Sequence, residues 1–140
     1  MKGLDSSILL GLLHGDPAVR NLLRRLGDLE LATTEANLLE LSWVAARVSA
    51  HARRRRDALD RLRRKITVLP IDSRAVDRAS LRLGREGAPI PPLIGAMFGA
   101  FEASGCDELF TRERIRDLGK WRFKVTRIGD PNPKIIRSRK

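Results

Sequence analysis

At 140 residues the chain has the length of one compact domain, because two cores within it would each be marginal. Its hydrophobic content of 42% is enough for a core, but no run reaches the roughly 18 consecutive apolar residues of a membrane span. A single cysteine excludes an internal disulfide and any zinc-ligand spacing, whereas a net charge of +11 favours polyanionic partners such as nucleic acid.

In chain order, Leu4 and Asp5 end a very short first strand, and Ser6 or Ser7 caps the apolar helix Ile8 to Leu13. Asp5 also interrupts the apolar start and no small-residue cleavage site follows, so a signal peptide is not expected and cytoplasmic residence is. Asp16-Pro17 opens a helix to Leu26, with Val19, Leu22, Leu23 and Leu26 at helical spacing, and Gly27-Asp28 stops it. Leu29 to Thr33 reads as a buried strand. Thr34 is placed to cap a longer helix from Glu35 through Val44 to Val48.

His51 to Lys65 continues as a helix with Ala58, Leu59 and Leu62 on a sparse apolar side and arginines elsewhere. Ile66 to Ile71 is rich in β-branched residues, as a strand is, with Pro70 near its end. Asp72 caps a helix from Ser73 to Arg85. After the loop Ala88 to Pro92, the almost wholly apolar helix Leu93 to Ala103 belongs in the core, with Gly105 as its stop. Glu108 to Thr111 is a short strand, and Arg122 to Ile128 alternates as an edge strand would. Residues 1–128 are therefore expected to form the domain and 129–140 a basic, mobile tail. Short strands alternating with helices imply a mainly parallel sheet covered on both faces, whose ligands gather at the carboxyl ends of the strands.

Several acids fall at such ends. Asp5 closes the first strand, Glu40 lies in the helix after the second, and Glu113 or Asp117 follows the strand ending at Thr111. Carboxylates gathered there would hold a hard cation such as Mg²⁺ or Mn²⁺ and leave water positions free for attack on a phosphodiester. Against this, Asp beside Ser is an ordinary helix cap and a helical Glu usually faces solvent; Glu40 stands out because Leu38, Leu39, Leu41 and Trp43 flank it.

Among the basic residues, Arg53 and Arg54 begin the arginine-rich helix, which either tracks an RNA backbone or is a solvated face tied to Asp57 and Asp60. Arg112 has the better position for a phosphate, unless it pairs with Glu113 or Asp117. Aromatic content of 4% without tyrosine leaves little for base stacking. Trp43 and Trp121 read as packing residues, His14 and His51 as surface residues, and Cys106 as a partly buried apolar one. No glycine-rich phosphate loop is present.

The segments LDSSILLGLL, ATTEANLLELSWVA, IPPLIGAM and SGCDELFTRER resemble, in order, the signature segments of PIN domains, especially archaeal VapC-type toxins, from Leu4 to about Ile128. The resemblance implies a three-layer α/β/α domain with a mainly parallel sheet and Mg²⁺- or Mn²⁺-dependent cleavage of RNA. It further implies frequent homodimers and, in toxin members, a small antitoxin. Carried over, Asp5 is a direct metal ligand, Ser7 the hydroxyl lining the site, Glu40 the glutamate of the central helix, and Glu113 with Asp117 the closing acids; Asp5, Glu40 and Glu113 form the expected metal set.

One position departs from the family. An aspartate normally stands just ahead of the apolar helix that here begins Leu93-Ile94-Gly95-Ala96. Either Pro91 occupies its place or a short deletion after Leu93 has removed it. The alternative to an endoribonuclease is thus a PIN-like RNA-binding or assembly module that has lost catalysis.

Overall fold

The computed structural model describes residues 1–47, 52–86, 91–113 and 121–129. The chain runs β1 (Lys2–Leu4), α1 (Ser6–Leu13), α2 (Pro17–Leu26), β2 (Leu31–Thr34), α3 (Glu35–Ala46) and α4 (Ala52–Lys65). It continues β3 (Thr67–Leu69), α5 (Ser73–Glu86), α6 (Pro92–Ala103), β4 (Glu108–Thr111) and β5 (Lys124–Arg127). The strands form one sheet in the order β3-β2-β1-β4-β5, and each neighbouring pair is parallel. This is the α/β architecture expected from the alternation of short apolar runs and helices.

The strands lie between two apolar layers. On one side, Leu4, Phe110 and Ile128 pack with Ile8 and Leu9 of α1, Val19 and Leu22 of α2, Leu38 and Leu41 of α3 and Leu59 of α4. On the other, Ala32 and Leu109 meet Ala75 of α5, Phe98 and Phe101 of α6 and Phe123. Each such large side chain, taken from water, stabilises the fold by roughly 1.5–3 kcal/mol. The alternation in β1 assigns Leu4 to the first layer, and Gly3 leaves room on the second, where a Cβ would come within 2.9 Å of the Phe101 ring. Gly99 is stricter: a Cβ there would stand 2.0 Å from the Ala75 carbonyl oxygen, so α5 and α6 approach this closely only with glycine at the crossing.

Local chemistry sets the boundaries and corrects some expectations. Asp5, not Ser6 or Ser7, caps α1, accepting from the Ile8 N–H at 3.2 Å. Asp16 and Thr34 cap α2 and α3 as expected, and Asp72 accepts from the Ala75 N–H at 3.1 Å. β2 begins only at Leu31, because Leu29 is 53% exposed and its N–H closes the turn onto the Leu26 carbonyl. β3 and β5 are shorter than their apolar runs. Trp43 is not a core residue: it is 59% exposed and carries the Arg47 guanidinium 4.2 Å from its ring centroid. Trp121 does pack, stacked on Phe123 and edge-on to Phe98. Cys106 is buried, and desolvation pushes its thiol up to about 11. Val48, His51 and the segment 130–140 that holds most of the expected tail lie outside the described residues. Among those described, no helix is long and apolar enough to cross a membrane.

Candidate functional site

The strand order reverses at β1, which has β2 on one side and β4 on the other. In a parallel sheet the helices leaving two such strands depart to opposite sides and open a crevice at their carboxyl ends. Asp5 follows β1 and Arg112 follows β4, and the Asp5 N–H donates to the Phe110 carbonyl at 3.3 Å across that junction.

Asp5 is 8% exposed. Its Oδ1 accepts from Ser7 Oγ at 2.5 Å and from the Ile8 N–H at 3.2 Å. Ser7 Oγ in turn accepts the Arg112 N–H at 2.9 Å and lies 3.5 Å from Thr111 Oγ1. A hydroxyl has one proton to give, so Ser7 spends it on Asp5 while accepting the Arg112 N–H, and ties the start of α1 to the end of β4. Desolvation pushes the Asp5 carboxyl up; hydrogen bonds from Ser7, Thr111 and the Ile8 N–H pull the other way without cancelling it. Among the described residues no cationic side chain forms an ion pair with Asp5.

Glu40 reaches the same turn from α3. It is exposed, rather than enclosed by its leucine neighbours, since Leu39 beside it is 72% exposed. Its Oε2 accepts from Ser6 Oγ at 2.8 Å. The adjacent Ser6 N–H donates to Asn37 Oδ1 at 3.3 Å, and the Asn37 amide donates to Thr34 Oγ1 at 3.0 Å. Asn37 is fully buried, so it fixes α3 against the β1–α1 turn. Ser6, Ser7, Glu40, Arg112 and Glu113 all line one cleft of about 360 Å³, together with His14 and Asp16.

Among the described residues, Arg112 pairs not with Glu113 but with a residue of another element. Its Nη1 donates to Asp16 Oδ2. Glu113 is exposed at the rim, with its N–H on Thr111 Oγ1 at 3.0 Å. Arg54 lies exposed on α4; the side chain of Arg53 and all of Asp117 fall outside the described residues. The site thus brings together Asp5, Ser7, Glu40, Arg112 and Glu113. Sequence reading missed Asn37, Thr111 and Asp16. The signal for Asn37 was a polar residue on the apolar side of α3; that for Asp16 was hidden by its obvious duty as a helix cap.

Two observations bear on a divalent cation. Among the described residues, no three His, Cys, Asp or Glu side chains gather as a ready cage. Yet Asp5 is a buried carboxylate with no cationic partner among the described residues, joined through Ser7 and Ser6 to the cleft where Glu40 and Glu113 stand. Mg²⁺ is usually bound by one or two carboxylates, with waters and substrate phosphate completing its shell. The residues fit that mode and not an all-protein cage.

At α6, where the resemblance calls for an aspartate, Pro91 occupies the cap position and α6 has no side-chain cap.

The profile of the PIN domain matches residues 3–100. The chain belongs to the PIN-domain family. Among solved structures, it is similar to VapBC2 from Rickettsia felis bound to a promoter DNA fragment, at 14% identity and a TM-score of 0.73, covering 91% of this chain and 98% of that one. It is similar to VapBC-5 from Mycobacterium tuberculosis, at 18% identity and 0.65, covering 91% and 98%. VapC20 of the same organism, a toxin that cleaves the sarcin-ricin loop, gives 16% identity and 0.58 over 78% and 87%. At such identities these likenesses establish the fold. No curated protein matches the sequence.

Proposed function

We propose that this chain is a metal-dependent endoribonuclease of the toxin–antitoxin type, working in the cytoplasm with a metal site weakened at one position. The PIN-like domain is residues 1–128, followed by a basic tail. Its substrate is RNA, its cofactor Mg²⁺ or Mn²⁺, and its partners are a second copy and a small antitoxin. The observation that carries this reading is Asp5, buried at the β1–β4 junction with no cationic partner among the described residues and wired through Ser7 to Arg112.

Asp5 and Glu40 would hold the ion, with Glu113 at the rim, or Asp117, completing or orienting its water shell. When bound, the ion supplies an activated water and offsets charge developing on the phosphoryl oxygens. Ser7 keeps the Asp5 carboxylate aimed, and Asn37 holds α3 so that Glu40 stays near Ser6. Arg112 meets the phosphate, while Arg53 and Arg54 on α4 extend the basic surface that the +11 charge provides.

The test is cleavage of single-stranded RNA with Mn²⁺ by wild type and by Asp5→Asn, purified identically. Weak, metal-dependent cleavage is expected of the wild type, reduced by about 100-fold or more in Asp5→Asn, because loss of the anionic anchor misplaces the attacking water. Robust cleavage that survives Asp5→Asn would sink the mechanism. Pro91 at the uncapped start of α6 favours one second reading, a module that binds RNA without cutting it; intact binding with no cleavage by either protein selects it.

A further inference from the structure

Arg112 is held at both ends and satisfied at only one. Its backbone N–H is fixed on Ser7 Oγ at 2.9 Å, and its carbonyl accepts from Arg127 Nε at 3.4 Å. At the other end Nη1 is bound by Asp16 Oδ2, while Nη2 is buried and has no acceptor among the described residues. A buried N–H left unpaired is costly, and a charged one more so, unless an acceptor arrives. Arg112 and Asp16 both line the cleft that holds Ser6, Ser7 and Glu40.

Asp16 is as firmly placed as the arginine it binds. Its N–H donates to the Gly11 carbonyl at 2.9 Å, and its Oδ1 accepts from the Ala18 N–H at 2.9 Å, leaving Oδ2 for Arg112. Gly11 makes this possible: a Cβ there would stand 2.6 Å from Val19 Cγ2 and force α1 and α2 apart just where Asp16 joins them. The two oxygens of one carboxylate therefore do separate work, one ending a helix and the other aiming a guanidinium.

We propose that Asp16 and Arg112 form a phosphate clamp at the rim of the cleft. Arg112 Nη2, uncovered by a small turn of the guanidinium about its Asp16 anchor, donates to a non-bridging oxygen of an RNA phosphodiester, and Asp16 is the positioning residue that holds it. The planar guanidinium fork suits this division, because one nitrogen can be anchored while the other presents its protons in a fixed direction. A bidentate Asp16–Arg112 pair would have argued for a latch that substrate must break; the pair here leaves one nitrogen without an acceptor among the described residues. The proposal rests on RNA being the substrate, but not on cleavage.

The experiment measures binding of a short fluorescein-labelled oligouridylate to the full chain in EDTA, by anisotropy at several salt concentrations. Arg112→Gln should weaken binding about tenfold and flatten the slope of log K against log salt by about 0.7, the share of one phosphate on a single strand. Arg112→Lys, which keeps the charge and loses the fork, should recover the slope but not the affinity. Asp16→Asn keeps the helix cap and is expected to lose at least half of the Arg112→Gln effect on a logarithmic scale. Circular dichroism and urea midpoints identify any variant that has unfolded; for those, the wild-type Arg112 Nε–Hε resonance decides, and it should shift on adding the oligonucleotide. Unchanged or tighter binding by Asp16→Asn, or an Arg112 resonance that does not move, overturns the clamp. Manganese-dependent cleavage with unchanged binding in these variants would remove the clamp alone, whereas the clamp pattern without cleavage would remove only the nuclease reading.

Discussion

Two carboxylates are buried, one at the carboxyl end of β1 and one on α6, and the protein treats them differently. Glu102 of α6 is 8% exposed, as Asp5 is, but Arg82 Nη2 lies 2.7 Å from its Oε1, with Arg78 and Arg122 nitrogens each at 3.9 Å. Asp5 receives hydroxyls and a backbone N–H, and among the described residues no cation. Burying an unpaired charge costs stability unless something offsets it. Glu102 has its charge offset built in through Oε1, although its buried Oε2 has no hydrogen-bond partner among the described residues. Among the described residues Asp5 has no such offset, which suits a residue that receives its cation from solution.

The sharpest way to break this contrast is to remove the internal partner from the paired site. Arg82→Met keeps much of the aliphatic stem but leaves Glu102, among the described residues, with the two more distant arginines, one of them largely in solvent. A loss of about 3 kcal/mol is expected, near the low end for breaking a buried pair because those arginines remain. Urea denaturation measures it. A loss below ~1 kcal/mol would mean that the guanidinium contributes no more than a surface ion pair does, and Glu102 would then be no better compensated than Asp5.

The unpaired site should respond in the opposite sense. Asp5→Asn preserves the α1 cap, since Asn and Asp cap equally well, and removes a charge that burial disfavours. The metal-free variant is expected to be more stable than wild type by about 0.5–2 kcal/mol at neutral pH. The sign follows from linkage. Desolvation raises the Asp5 carboxyl in the folded state, so the folded protein binds that proton more tightly than the unfolded chain, and wild type loses stability as pH rises from the unfolded value through the raised one. The advantage of Asp5→Asn should therefore be full above that window and vanish below the ordinary aspartate range. Added Mn²⁺ should narrow it by stabilising wild type alone. A variant less stable than wild type at neutral pH in EDTA would show that Asp5 is a structural cap first.

How far the sequence revealed these sites depends on the range of the interactions that make them. The alternation of strands and helices, the caps Asp16 and Thr34, and the core of α6 are local and were legible in short stretches. Asp5 and Glu40 were legible as acids after successive strands. What escaped were pairings across long separations. Arg112 finds Asp16, 96 residues away, and Ser7 receives the Arg112 N–H from 105 residues away. Neither follows from residue type or spacing, because both depend on β4 pairing with β1. Glu102 was hidden for the same reason: its partners lie on α5 and beside β5, and in the sequence it is one acid inside an apolar helix. Trp43 failed differently. Aromatic residues are usually buried, but here Arg47, one helical turn on, covers its ring at the surface.

The smallest expected effect on stability tests the boundary of the Asp5 site. Pro91 caps α6 with φ −54° and ψ 135°, an extended geometry that aspartate adopts readily, and it makes no side-chain hydrogen bond to the helix. Pro91→Asp would add a capping carboxylate worth about 0.5–2 kcal/mol at a helix N-terminus. Against that, it gives up the restriction proline places on the unfolded chain, worth about 0.4–1 kcal/mol. The net should lie within about 1 kcal/mol of wild type by urea denaturation. The informative readout is Mn²⁺ affinity by titration calorimetry, in wild type and in Pro91→Asp. If proline stands where the family carries its aspartate, the variant regains a ligand and binds Mn²⁺ at least about tenfold more tightly, as removal of a hard oxygen ligand would cost in reverse. If the aspartate was instead lost by a deletion after Leu93, the new carboxylate caps α6 without reaching the ion, and affinity stays where it was. An affinity gain that also appears in Pro91→Asp combined with Asp5→Asn would place the ion away from Asp5, and the contrast between the two buried carboxylates would lose its functional meaning.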